Sequence, residues 1–169
     1  MGDEKSFEAL LKFVFMKTED WKVKIRAIRL LGNIPDTGVS DKLVTIFNDP
    51  FLNYECPAMK WNTAVALGHR HNKGTRAVDA LIDALGYNNL LIREAAIQSL
   101  GKIGDPVSVP YLITALNDDS FAVKYNAVKA LENIGSKEAV PFLQKIADAE
   151  KDPLLKEETQ KAIKNIKQN

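Results

Sequence analysis

The stretch Leu90–Asp105, LLIREAAIQSLGKIGD, recurs along the chain in weaker copies, and a chain built of copies folds as a stack of them. Ile92, Ala96, Leu100 and Ile103 fall on one stripe at helical spacing, so the unit reads as an amphipathic helix. Gly101 and Gly104 both read as C-terminal stops. Four further segments share the pattern: VKIRAIRLLGNI from Val23, MKWNTAVALGHR from Met59, VKYNAVKALENI from Val123 and LKEETQKAIKNI from Leu155. Aligned on Gly101, their registers are 32, 68, 101, 132 and 164, so successive copies lie 36, 33, 31 and 32 residues apart. That period belongs to arrays of helix pairs.

The columns say what each position does. Val23, Met59, Ile92, Val123 and Leu155 are all apolar, as are Leu31, Leu67, Leu100, Leu131 and Ile163. Ala27, Thr63, Ala96, Ala127 and Thr159 are all small, as close helix–helix contact requires. Each copy follows a partner segment (EALLKFV, DKLVTIF, DALIDAL, PYLITAL, PFLQKIA) in which Leu10, Leu43, Leu81, Leu112 and Leu143 share a register. Pro110 and Pro141 sit where a first-turn proline loses no hydrogen bond. Short polar turns join partner to copy at Glu19-Asp20, Asn48-Asp49, Asn88-Asn89, Asp118-Asp119 and Asp152. The fold expected is all-α: one domain over 1–169, an α-solenoid of about five antiparallel helix pairs. The pairs are expected near 6–36, 38–74, 75–105, 106–136 and 137–169.

The turn Asp or Asn, the apolar-plus-basic pair (Ile92-Arg93, Val123-Lys124), the small residue that follows and Leu-Gly-x-Ile-Gly together resemble the HEAT-repeat family. The match is closest to the short HEAT-like repeats of phycobilisome lyases, and it extends over nearly the whole chain. The resemblance implies a superhelix whose second helices line a concave groove. It also implies an alternative role, as an accessory subunit or chaperone of a bilin lyase-like enzyme. Activity does not follow from a fold. Deoxyhypusine hydroxylase, a HEAT-repeat enzyme, holds iron with His-Glu pairs on its inner helices. The aligned pairs here are Ile25-Arg26, Trp61-Asn62, Glu94-Ala95, Tyr125-Asn126 and Glu157-Glu158, none of them His-Glu. HEAT-like DNA glycosylases work in a strongly basic groove, which a formal net charge of +1 does not supply. Nucleic-acid binding through the groove is therefore a distant third reading.

Charged residues make up 27% and hydrophobic residues 46% of the chain, a globular balance that excludes disorder. A single cysteine, Cys56, rules out an internal disulfide framework and fits a reducing compartment, so the cytoplasm is expected. No apolar run reaches the length of a membrane span. The first helix, from Ser6, is apolar nearly all round (Phe7, Leu10, Leu11, Phe13, Val14, Phe15, Met16), which fits either filling of the core's end or contact with another chain, a homodimer included. The last, from Leu155, is polar, as a capping helix is.

No phosphate-cradling loop, nucleophile elbow or Cys/His pair is present, and no catalytic residue, cofactor or metal site is assigned. His69 and His71 lack nearby Asp, Glu or Cys to complete a metal shell, so Gly68–Gly74 reads as a basic turn. An insertion between Asp49 and Pro57 carries Phe51, Leu52 and Tyr54, either at a binding face or tucked over a repeat junction. The basic column Lys24, Lys60, Arg93, Lys124 and Lys156 recurs beside the turn residues. It reads as a ladder of charge-assisted bonds between neighbouring turns. A binding site lies instead in the columns that vary. Arg26, Arg29, Trp61, Asn62, Tyr125, Asn126 and Lys129 are the expected contacts with a partner protein in the groove. Trp61 and Tyr125 are the apolar anchors, and Arg26 and Arg29 the groups that meet acidic side chains.

Overall fold

Short capped helices, each with one apolar stripe, make up the chain. The computed structural model describes residues 2–16, 20–50 and 56–168. Its ten α-helices among those residues are α1 (Gly2–Phe15), α2 (Trp21–Gly32), α3 (Thr37–Asn48), α4 (Pro57–Leu67), α5 (Arg76–Ala84), α6 (Leu90–Ile103), α7 (Val109–Ala115), α8 (Phe121–Ile134), α9 (Val140–Ala149) and α10 (Pro153–Gln168). No strand occurs among the described residues, and none of these helices is long and apolar enough to cross a membrane. The inserted Phe51, Leu52 and Tyr54, and Glu19 of the first turn, lie outside the described residues.

Six of these helices, α2, α3, α5, α6, α8 and α10, begin where a turn side chain accepts an unpaired N–H group of the first turn. Asp20 accepts from Lys22 and Val23, Asn89 from Leu91 and Ile92, Ser120 from Val123, and Asp152 from Leu155. Pro110 and Pro141 stand in the first turns of α7 and α9. Gly104 and Gly135 end α6 and α8 at φ +72° and +74°, each donating its N–H back to Leu100 or Leu131. A left-handed residue there is cheap only for glycine.

The helices pair as α1–α2, α3–α4, α5–α6, α7–α8 and α9–α10, and the even-numbered helices also pack side by side in one row. Leu43, Leu81, Leu112 and Leu143 of the outer helices are sealed between the layers, opposite Leu31, Leu67, Leu100 and Leu131 of the inner row. Within the inner row, Gly101 lies inside α6 and is no stop. A Cβ built on it would lie 2.8 Å from both Cα and Cβ of Ala130 on α8. Gly32 meets Ala66 in the same way (2.7 Å), and Gly68 meets Ser99 (2.6 Å). At three of the four junctions, one glycine thus lets neighbouring inner helices touch backbone to backbone. The outer row is looser: a cleft of about 440 Å³ opens between α5 and α7, lined by Leu85, Gly86, Tyr111 and Ala115 and floored by Ile97 and Val123. A stack closer-spaced on one side curves toward that side, so the inner helices line the concave face.

The basic column ties turns together, as its regularity indicates, and it reaches both back to the turn before its helix and forward to the next one. Arg93 donates Nε and Nη2 to the Asp118 carboxylate (3.1 and 3.3 Å) and Nη1 to the Tyr87 and Asn88 carbonyls. Lys124 reaches Glu150 at 3.0 Å. Lys60 donates to the Phe47 carbonyl and lies between the Phe47 and Tyr87 rings, 4.5 Å from each centroid. Asp105 adds a second ladder, accepting from Gly74 N–H of the previous turn at 2.7 Å.

Gly101→Ala tests the spacing role. The new methyl gains about 1 kcal/mol of helix propensity, yet it meets backbone that must move, at a cost of about 1–3 kcal/mol. We expect a net loss, read as a thermal midpoint lower by roughly 2–4 °C per kcal/mol. A raised midpoint contradicts the close contact.

Candidate partner-binding face

The outward columns of the inner helices carry most of the positions singled out from the sequence. Arg26 and Arg29 stand on α2, and both are exposed. Neither is in an ion pair among the described residues. Trp61, on α4, is 41% exposed, a large share for an indole on a helix face. Tyr125 on α8 is half-buried and stacks on Phe121, ring centroids 6.1 Å apart.

The other three are engaged within the molecule. Asn62 is nearly sealed, and its Nδ2 donates to the Ala58 carbonyl at 2.8 Å, one turn back on its own helix. Asn126 accepts from Gln98 Nε2 at 3.3 Å, linking α8 to α6. Lys129 is held by Glu132 on its own helix and by Glu158 on α10 at 3.4 Å. Glu132 occupies the glycine register of α8, and Asn165 of α10 also donates to it. At this junction a polar network replaces the glycine contact. The hydrogen bond from Lys129 to Glu132 raises the lysine's pKa, helped by Glu158 and opposed by burial. Burial works to raise that of Glu132, but hydrogen bonds from Lys129 and Asn165 outweigh it and hold the carboxyl below its usual range.

Sequence reasoning missed the apolar residues at the helix starts. Leu90, Leu91, Phe121 and Leu154 are exposed in the first turns of α6, α8 and α10. With Trp61 and Tyr125 they place at least one large apolar side chain on each of the last four inner helices. The available signal was the position four residues before Tyr125, where Phe121 shares its face at i, i+4.

His69 and His71 stack at 5.6 Å between centroids beside the short 3-10 turn Arg70–Asn72. Burial, then the neighbouring His71 and Lys102, lower the pKa of His69. The same turn is anchored by buried Asn72, which accepts from Ser40 Oγ and donates to the Leu67 carbonyl at 2.6 Å. Among the described residues no group of three or more His, Cys, Asp or Glu is placed to hold a metal ion. On α1, Val14 is sealed and Phe7, Leu10 and Leu11 are half-buried, while Phe13 and Phe15, and Met16 just past its end, are exposed.

The family model for HEAT repeats matches residues 50–121 and 92–164. The chain belongs to the HEAT-repeat family. No curated protein sequence matches it. Among solved structures it is similar to the complex of CpcE and CpcF of phycocyanin lyase from Nostoc sp. PCC7120, with a TM-score of 0.73 at 22% identity over 96% of this chain. The chain spans 65% of that relative's length. It is similar to a designed armadillo repeat protein in complex with the peptide (KR)4, with a TM-score of 0.67 at 17% identity over 97% of this chain and 83% of that one. Human deoxyhypusine hydroxylase gives 0.58 at 18% identity, over 99% of this chain and 75% of that one. At these identities the likeness is one of fold.

The Lys129–Glu132 pair makes stability depend on pH. A carboxyl whose folded pKa is depressed stabilises the fold above its unfolded titration range, and that contribution is lost as pH falls through the folded value. The raised lysine contributes fully below its unfolded value and loses its contribution only at strongly alkaline pH. Thermal midpoints measured from neutral pH down to about pH 3 should therefore fall on the acid side. Glu132→Gln should lower the neutral-pH midpoint and flatten that acid limb; an unchanged acid limb contradicts the assignment.

Proposed function

We propose that this chain is a non-catalytic scaffold that binds a segment of another protein along the concave face of its inner helices. The observation that carries the reading is the run of exposed apolar side chains on that face: Trp61, Leu90, Leu91 and Phe121, with Tyr125 stacked behind. Water-exposed aromatics on a rigid surface are the usual anchors of protein recognition. Arg26 and Arg29 add donors for acidic groups at one end. The solved relatives named above include a complex between two proteins and a repeat protein holding a peptide, which is the use proposed here.

The test is capture of partners from the source cell by the wild-type chain and by a Trp61→Ala, Tyr125→Ala double variant. Both residues lie outside the sealed core, so the variant should fold. Each lost anchor should weaken binding by at least about 1–2 kcal/mol, together tenfold or more. Unchanged capture by the double variant removes this face from consideration.

A second reading, as an accessory to a bilin lyase-like enzyme, draws on the likeness to the CpcE–CpcF complex. The visible absorbance of the purified chain incubated with a free bilin separates the two readings. A retained, red-shifted chromophore favours the accessory role.

A further inference from the structure

In four of the five inner helices, the side facing the preceding inner helix is sealed. Met59, Ile92, Val123 and Leu155 are all buried there, and Ala66, Ser99, Ala130 and Ala162 are at most 4% exposed. On α2 the same two columns hold Val23, exposed, and Leu30, 47% exposed. Leucine at this register also breaks the rule of the stack. The position that at three junctions holds a small residue meeting a glycine at 2.6–2.8 Å holds here a side chain too bulky for another helix to close in the same way. The face is thus open and apolar, and it does not suit one more repeat of the same kind. Leu30 stands beside Lys22, Ile25, Arg26, Arg29 and Asn33, all on α2 or at its C-cap, around an open recess of about 500 Å³ between their side chains.

The charge on this face selects the occupant. WKVKIRAIRLLG carries no acidic residue. Lys22, Arg26 and Arg29 take part in no ion pair among the described residues, whereas Arg93, Lys124 and Lys129 further along the inner row all do. A second copy placed by two-fold symmetry would set these cations against each other. Deepening the scaffold reading, on which the inference rests, we propose that the exposed face of α2 docks an acidic amphipathic helix of a partner protein. Leu30 and Val23 take its apolar stripe, and Lys22, Arg26 and Arg29 meet its carboxylates. An apolar stripe running along one helix and flanked by cations matches the apolar stripe and acidic flank of an amphipathic helix.

The probe is a fluorescein-labelled peptide of about 16 residues, roughly 24 Å of helix, with Leu and Ala on one stripe flanked by Glu, and a twin in which every Glu is Lys. Anisotropy titration of the intact chain should show the acidic peptide bound at least tenfold more tightly than the twin, and more weakly as salt rises. Arg26→Glu with Arg29→Glu should reverse that preference. Leu30→Ser should weaken the acidic peptide severalfold while leaving the charge unchanged. Circular dichroism checks that each variant is folded. Trp61→Ala with Tyr125→Ala should leave peptide binding intact, so loss of the groove reading and loss of this one are separable. Equal binding of both peptides overturns the proposal, as does indifference to the Arg26/Arg29 reversal. So does displacement of the peptide by phosphatidylglycerol–phosphatidylcholine vesicles, or a solution dimer that Leu30→Ser dissolves.

Discussion

The structure depends on the contact between a glycine on one inner helix and a small residue on the next. Gly32 against Ala66, Gly68 against Ser99 and Gly101 against Ala130 bring helix backbones closer than any side chain would permit. The outer helices have no such contact between α5 and α7, and a cleft opens there. The inner row is therefore the closer-packed side of the stack, the side toward which such a stack curves. Dispersion contacts and apolar burial along the leucine columns then hold the layers together, while Arg93 and Lys124 fix the turns in register.

The fourth junction shows how the device can be replaced. Glu132 stands where the other junctions have glycine, and Lys129, Glu158 and Asn165 gather round its carboxylate. A partly buried carboxylate is tolerable because it is paired and hydrogen-bonded. This junction is therefore polar and titratable where the others are apolar. The columns that recur are consumed by the architecture, and the columns that vary are divided between such local networks and solvent. The apolar side chains at the starts of the inner helices and the unpaired cations of α2 belong to that second set.

The architecture was legible in the sequence because stacking converts a one-repeat separation into a spatial contact. Conserved side-chain size within a column of one chain is then a record of packing. Gly101 shows the limit of this. A glycine near the end of a helix has the same letter whether it stops the helix, as Gly104 does at φ +72°, or admits a neighbour, and only the position of Ala130 tells them apart. The face was legible in part. Arg26, Arg29 and Trp61 have no local partner in sequence, and they are exposed. The engagement of Lys129 by Glu158, 29 residues on, and the turn of Asn62 onto its own helix depend on side-chain reach, which spacing does not encode. Leu90 and Phe121 escaped notice because first-turn residues lie outside the stripe used to find the helix.

The central claim is that the inner row, not the outer, meets a partner. Site-specific photo-crosslinking in the source cell tests it most directly, with a benzophenone side chain placed singly at Trp61 or Phe121 on the inner row, or at Tyr111 or Phe142 on the outer helices, all four exposed. Trp61 and Phe121 should capture the same protein while Tyr111 and Phe142 do not. Capture from Tyr111 and Phe142 alone would contradict it.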